Sequence, residues 1–296
     1  MSAIIESIAL ADGRYTEVLL GGDPAGYPLV MHHGTPSDAT TFADWHEPCM
    51  ARGIRLICAS RPGYAASTRM AGRSVAHVAA DVSAILDGLG QTRFMTAGWS
   101  GGGPHALACA ALLSDRCAAA ATLAGVGPFG AEDLDFLAGM GDENVAEFGA
   151  TLKGEDALRL WMRENAEPFR TVTGEMLAEA FGGLVPEVDR DVLVGGYADL
   201  MAAMFRRSLE RGFDGWIDDD LAFTQPWGFS LSAMRVPVTV WQGELDLMVP
   251  FAHGHWLLRS IPGAVGHMVP GHGHISLVTR YRDEILDALQ RSAGQA

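Results

Sequence analysis

Lysine is almost missing from these 296 residues: Lys153 stands alone. With arginine counted there are 21 basic side chains against 36 acidic ones, a formal net charge of −15. Phosphate backbones are bound by basic surfaces, so nucleic acid is excluded as a partner, and an anionic membrane surface is disfavoured for the same reason. No apolar run approaches the roughly 18 residues of a spanning helix, and the opening MSAIIESIALADGRY lacks the basic start and long apolar core of a secretion signal. These absences predict a soluble, cytoplasmic protein. Cysteine is scarce as well. Cys49, Cys58, Cys109 and Cys117 form no C-x-x-C pair and sit in apolar surroundings, which predicts buried free thiols and neither a disulfide framework nor a metal site.

Apolar side chains make up 48% of the chain, enough to fill a large core. Short β-branched runs at Tyr15–Leu20, Pro28–His32, Ile54–Ala59, Phe94–Ala97, Ala119–Leu123, Val236–Trp241 and Val265–Val269 read as strands. Between them Thr41–Arg52, Ser74–Leu89, Pro104–Leu113, Phe251–Ser260 and Ile275–Gln290 carry apolar residues at helical spacing. This alternation predicts an α/β fold with a mostly parallel sheet and helices on both faces, its first strands forming an antiparallel edge around Ala11-Asp12-Gly13. The alternation stops after Gly127 and resumes at Val236. Between Pro128 and Met234 lie 21 of the acids and 8 of the bases, so this third holds −13 of the net charge. Helical segments at Gly154–Asn165, Gly174–Phe181 and Asp191–Arg211 predict a helical insertion there, over the sheet edge where α/β folds bind ligands, with its acids on solvated helix faces.

The stretch FMTAGWSGGGPH, residues 94–105, packs four glycines around Ser100. Gly98-x-Ser100-x-Gly102 fits the G-x-S-x-G pattern, a weak signal alone that gains weight from its setting between a strand run and a helix run. In such a turn Gly98 and Gly102 relieve crowding, the serine projects beyond the sheet, and the amide of Gly101 points at the start of a helix where backbone donors stabilise an oxyanion. A phosphate loop is the rival reading, but Ser100 interrupts G-x-G-x-x-G and no Lys-Ser/Thr pair follows. A serine hydroxyl needs a base to take its proton and a carboxylate to orient that base. Candidates follow two later strands: Glu244 and Asp246 after Val238–Trp241, and His272 and His274 after Val265–Val269.

The order Ser100, Asp246, His274, with His33-Gly34-Thr35-Pro36 after an early strand, resembles the α/β-hydrolase fold superfamily. Arg61-Pro62-Gly63-Tyr64-Ala65-Ala66-Ser67 is similar to that family's R-x-G-x-G-x-S loop, with alanine where its second glycine is expected. The resemblance implies a core of residues 1–127 and 235–296 and a helical cap of residues 128–234. It implies a catalytic triad of Ser100, Asp246 and His274, the acid assigned by a Gly-x-x-Asp pattern at Gly243 and Asp246 and the base by its place before a short helix. Thr35 would give the second oxyanion amide beside Gly101, and His33 would brace that loop. No cofactor or metal is implied, and the partner is a small-molecule substrate.

The activity so implied is that of a serine hydrolase on an ester or lactone. A proline iminopeptidase-type aminopeptidase and a non-catalytic receptor of the same fold stand as alternatives. Against the aminopeptidase, that group favours His-Gly-Gly-Pro-Gly and Gly-Gly-Ser-Trp-Gly, whereas the tryptophan here precedes the serine. A serine nucleophile also disfavours the haloalkane dehalogenase and epoxide hydrolase branches. Trp99, Trp161, Met204 and Trp227 are candidates for lining the substrate pocket, each with core packing as the plainer role.

Overall fold

A computed structural model describes residues 2–181 and 185–294. Its strands are β1 (Ile4–Ala9), β2 (Tyr15–Gly22), β3 (Tyr27–His32), β4 (Ile54–Ala59), β5 (Phe94–Trp99), β6 (Cys117–Leu123), β7 (Val238–Gly243) and β8 (Val265–Val269). They form one sheet in the order β1-β2-β4-β3-β5-β6-β7-β8. The β1–β2 and β2–β4 pairs are antiparallel and the others parallel. The α/β class and the antiparallel edge thus follow the sequence expectation.

The β5 side chains alternate between the two faces, and both faces are covered. Met95, Ala97 and Trp99 belong to a core shared with α1 (His46–Ala51), α11 (His274–Arg280) and α12 (Arg282–Ser292). Phe94 joins the opposite core with α2 (Val78–Gly88), α3 (Gly102–Leu112) and α10 (Phe251–Ser260). Strands buried on both sides read as continuous apolar runs, which is why β5 and β6 were legible. The helix expected over Ile275–Gln290 is two, divided at Tyr281, whose φ of −109° and ψ of 13° leave the helical region. The Tyr281 ring packs against Trp241 and His272.

Between β6 and β7 the chain leaves the sheet and forms α4 (Asp142–Thr151), α5 (Glu155–Asn165), α6 (Gly174–Ala180), α7 (Glu187–Arg190), α8 (Gly195–Ser208) and α9 (Asp214–Phe223). Of these α4, α7 and α9 were not anticipated from the sequence. Leu158, Met162, Leu209, Trp216 and Ile217 form an apolar cluster within this insertion, closed by Tyr64.

The strand order fixes where a ligand can enter. From β3 the chain moves outward to β4, then returns to the other side of β3 to lay down β5. A parallel sheet opens a crevice at such a reversal, beyond the C-terminal ends of the strands. The segments leaving those two ends are His33-Gly34-Thr35 and Ser100.

Candidate active site

Ser100 follows the last residue of β5 and adopts φ +57°, a conformation costly for a non-glycine residue and frequent at functional turns. Its amide donates to the Leu123 carbonyl at 2.9 Å, and its own carbonyl accepts from Gly103 at 2.9 Å. The turn is tied to β6 on one side and to α3 on the other. Gly101 is the residue before α3, so its amide lies at the positive end of that helix. A Cβ on Gly101 would fall on the Thr35 hydroxyl and lie 2.9 Å from the Phe223 ring. The Thr35 loop and the Ser100 turn are therefore in intimate contact across the crevice.

That loop is held from below. Arg61 donates through Nη1 to the His33 carbonyl and through Nη2 to the Gly34 carbonyl (2.7 Å) and the Thr35 hydroxyl (2.9 Å). His33 accepts the Arg61 amide at Nε2 (3.0 Å), which leaves Nδ1 as the donor to the Gly34 carbonyl (2.8 Å). Burial and the adjacent Arg61 charge hold the His33 imidazole well below its ordinary pKa. Beneath them Asp219 of α9 is fully buried, accepting from Arg61 (Nη2, 2.6 Å), the Tyr64 hydroxyl (2.9 Å) and the Thr35 hydroxyl (2.8 Å) and pairing with Arg73 (2.7 Å). Burial pushes this carboxyl up, but Arg61 and Arg73 outweigh it and hold the group well below the usual range.

At the other end of the crevice, Asp246 is buried after β7. It accepts from the amides of Met248 (2.9 Å) and Val249 (2.8 Å) at Oδ1, and from Gln242 Nε2 (3.1 Å) and His274 Nδ1 (2.8 Å) at Oδ2. Glu244 is exposed, and its carboxylate accepts from the Gly271 amide at 3.2 Å. Of the two carboxylates open at the sequence level, Asp246 is the one that reaches a histidine. Of the two histidines, His274 is buried at the first turn of α11, while His272 packs edge-on against Tyr281. Burial alone would lower the His274 pKa; the Asp246 carboxylate and its hydrogen bond outweigh burial, and Asp189 adds to them, so the net direction is upward. For His272 burial and the Arg280 charge give a downward shift.

Ser100, Gly101, Thr35 and His274 line one cavity of about 440 Å³. Its walls are largely apolar: Met140, Phe148, Phe169, Phe181, Met201, Phe205 and Phe223 come from the insertion, and Val126, Met248 and Ile275 from the segments beyond the strands. Trp99, Trp161 and Met204 line it. Trp99 also lies beneath the histidine, donating from Nε1 to the His274 carbonyl at 3.2 Å, its ring 5.2 Å from the imidazole. Trp227 is a correction. It is not among the cavity residues but stacks on Phe229 in the α2–α3 core, because the turn at 225–228 has already carried the chain back towards the sheet, where the Trp227 carbonyl accepts from Ala76.

Most acids of the insertion are exposed, as expected of solvated helix faces, but four depart from that pattern. Asp189, Asp218, Asp219 and Asp220 are buried and do not belong to solvated helix faces. Asp220 and Glu147 both line the cavity and act on each other electrostatically, and Glu147 accepts from Trp216 Nε1 at 2.5 Å. Burial, followed by the charge of Glu147, pushes the Asp220 carboxyl well above its ordinary range; burial pushes Glu147 up as well. The run Trp216-Ile217-Asp218-Asp219-Asp220-Leu221-Ala222-Phe223 held the signal: three consecutive acids cannot all reach solvent from a helix that is apolar on either side. No group of three or more His, Cys, Asp or Glu placed to hold a metal occurs among the described residues, and none of their helices is long and apolar enough to cross a membrane.

Residues 27–181 match the family model described as alpha/beta hydrolase fold, and the chain belongs to that family. Comparison with curated proteins gives no match. Among solved structures, the chain is similar to the esterase RhEst1 from Rhodococcus sp. ECU1013, at 21% identity and TM-score 0.71 over 98% of this chain and 99% of that one. It is similar to the enol-lactonase from Burkholderia xenovorans LB400, at 18% identity and TM-score 0.68 over 97% and 100%. It also resembles Epoxide Hydrolase A from Mycobacterium thermoresistibile, at 18% identity and TM-score 0.67 over 98% of each chain. At these identities the likeness is one of fold, and it extends across the inserted helices.

Proposed function

We propose that the protein is a serine hydrolase that cleaves a small carboxylic ester or lactone through an acyl-enzyme. The observation that carries this reading is the 2.8 Å hydrogen bond from His274 to the buried Asp246, with His274 and Ser100 lining one cavity. His274 takes the hydroxyl proton as Ser100 attacks the carbonyl carbon, and Asp246 holds Nδ1–H in place and stabilises the imidazolium. The negative oxygen of the tetrahedral intermediate is met by the amides of Thr35 and Gly101. On collapse His274 gives its proton to the leaving alcohol, leaving Ser100 acylated. Water then enters, gives a proton to His274, and attacks the ester; expulsion of Ser100, reprotonated by His274, releases the acid. The chemistry is complete with protein groups and water. A Ser nucleophile forms an ester intermediate, which favours carbonyl substrates over the epoxide-opening chemistry named for one structural neighbour.

The inserted helices then act as a cap, residues 128–234 over a core of 1–127 and 235–296, and their aromatic and methionine side chains suit an apolar acyl or alcohol group. A second reading is favoured by one observation: the Glu147–Asp220 pair gives the cavity wall a carboxyl site fit for a substrate amine, as an aminopeptidase requires. A panel of p-nitrophenyl esters, lactones and N-terminal aminoacyl amides separates the two. Ester or lactone turnover lost in Ser100→Ala is the expected result. Preference for aminoacyl amides would move the assignment to the second reading, and no turnover of any carbonyl substrate would sink both.

A further inference from the structure

Asp189 lies in α7, far from the triad in sequence, and is fully buried. Its carboxylate reaches out of the insertion to the first turn of α11, accepting from the amides of His274 (2.7 Å), Ile275 (3.1 Å) and Ser276 (2.8 Å). The approach requires a residue without a side chain at position 273, because a Cβ there would fall on the Asp189 carboxylate. Gly273 in turn donates its amide to the Ser276 hydroxyl at 2.9 Å. The first amides of a helix have no partners within it, and a carboxylate at that end satisfies them and complements the helix dipole. Here the helix end being satisfied begins with the base itself, and the group satisfying it belongs to the insertion.

Building on the hydrolase reading, we propose that Asp189 is a positioning residue for His274, locking the backbone from which the imidazole reaches Asp246 and serves Ser100 in the proposed reaction. Two fixed points then define the ring: Asp246 holds Nδ1 from the β7 side, and Asp189 holds the main chain from the insertion. The catalytic geometry is thereby conditional on the insertion being docked. The charged groups that act on His274 are Asp246 and Asp189, and burial opposes both. Asp189 is itself flanked by Tyr197 of α8 and by His272, which also feels Arg280.

Two substitutions in the full chain test this. Asp189→Asn removes the charge and turns an NH₂ towards amides that need an acceptor; Gly273→Ala displaces the carboxylate from the other side. Both are expected to lower kcat by about tenfold or more with KM changed by less than about twofold, the pattern of a misaligned base. Both are expected to move the acid limb of kcat/KM to lower pH, and the double variant to be no worse than the poorer single one. A role in stability alone would lower the melting temperature without moving the limb. His274 titrated by NMR in a Ser100→Ala background gives a readout without turnover, so failure of the hydrolase reading and failure of this proposal are separable. Wild-type titration and kinetics in both folded variants would overturn it. Should neither variant fold, amide exchange in the wild-type protein decides: slow exchange at 274–276 supports the contact, and exchange at the rate of open amides overturns it.

Discussion

Nδ1 of His274 lies 2.8 Å from Oδ2 of Asp246, while Glu244, two residues earlier in chain order, faces solvent. The difference lies in the loop after β7: the Met248 and Val249 amides and Gln242 Nε2 converge on Asp246 and aim its free lone pair at the imidazole. Asp246→Asn keeps the shape but presents an NH₂ that favours the wrong tautomer, and kcat is expected to fall by about 10⁴-fold. Glu244→Gln is expected to leave kcat within about twofold, since an exposed acid hydrogen-bonded to one amide carries little of the geometry. Steady-state kinetics on a p-nitrophenyl ester check both; equal losses would contradict the assignment of the acid.

The pH profile follows from the upward direction of the His274 pKa. In the proposed reaction His274 takes a proton and must start neutral, so kcat/KM should rise with pH through a midpoint above the ordinary imidazole value of 6.5. His272→Ala is expected to leave that midpoint in place. A profile that loses its acid limb in His272→Ala would transfer the role to His272.

Much of this site was legible because it is local. The G-x-S-x-G turn, the strand before it and the helix after it lie within a few residues of Ser100; Asp246 follows the buried strand β7, and His274 follows the edge strand β8. The sequence did not disclose what the inserted acids do. Asp189 and Asp219 act on partners 85 and 184 residues away, His274 and Thr35, and no periodicity encodes such a pairing. Trp227 failed as a pocket residue because apolar bulk in a helical insertion serves packing and ligand equally well until the path of the chain is known.

Asp219 supplies a test of that long-range coupling. Asp219→Asn leaves Arg61 and Arg73 buried with an incomplete counter-charge, and removing one partner of a buried pair costs about 3–5 kcal/mol. A clear drop in melting temperature is expected, together with reduced kcat, because the Thr35 loop loses its support. A variant with wild-type stability and rate would show the network to be dispensable.

Glu147 gives the opposite sign. Its folded pKa lies above the ordinary 4.5, so the stability tied to its protonated form is complete below that value and is lost as pH rises through the folded pKa. Glu147→Gln stays neutral and keeps an acceptor for Trp216. The variant should therefore melt increasingly above wild type as pH rises from 4 to 8, read by calorimetry or fluorescence. A difference that is constant with pH would contradict a raised carboxyl in the cavity wall.

The elbow can be tested by steric filling. Gly101→Ala places a methyl group on the Thr35 hydroxyl and beside Phe223, spreading the two amides proposed to hold the oxyanion, and is expected to lower kcat by at least about 10²-fold. Gly103→Ala instead meets Thr122 Oγ1 at 2.6 Å and Gly125 Cα at 2.7 Å. It should cost stability by about 1–3 kcal/mol through overpacking of α3 against the end of β6. Melting curves and kinetics on the two variants separate a chemical glycine from a packing one.

Whether Ser100 is a nucleophile activated by His274 is tested most directly by covalent capture with a fluorophosphonate probe, read by intact-protein and peptide mass spectrometry. The expected result is one adduct per chain, located on Ser100, absent in Ser100→Ala and strongly slowed in His274→Ala. A wild-type protein that takes up no probe, or takes it up elsewhere, would contradict that role.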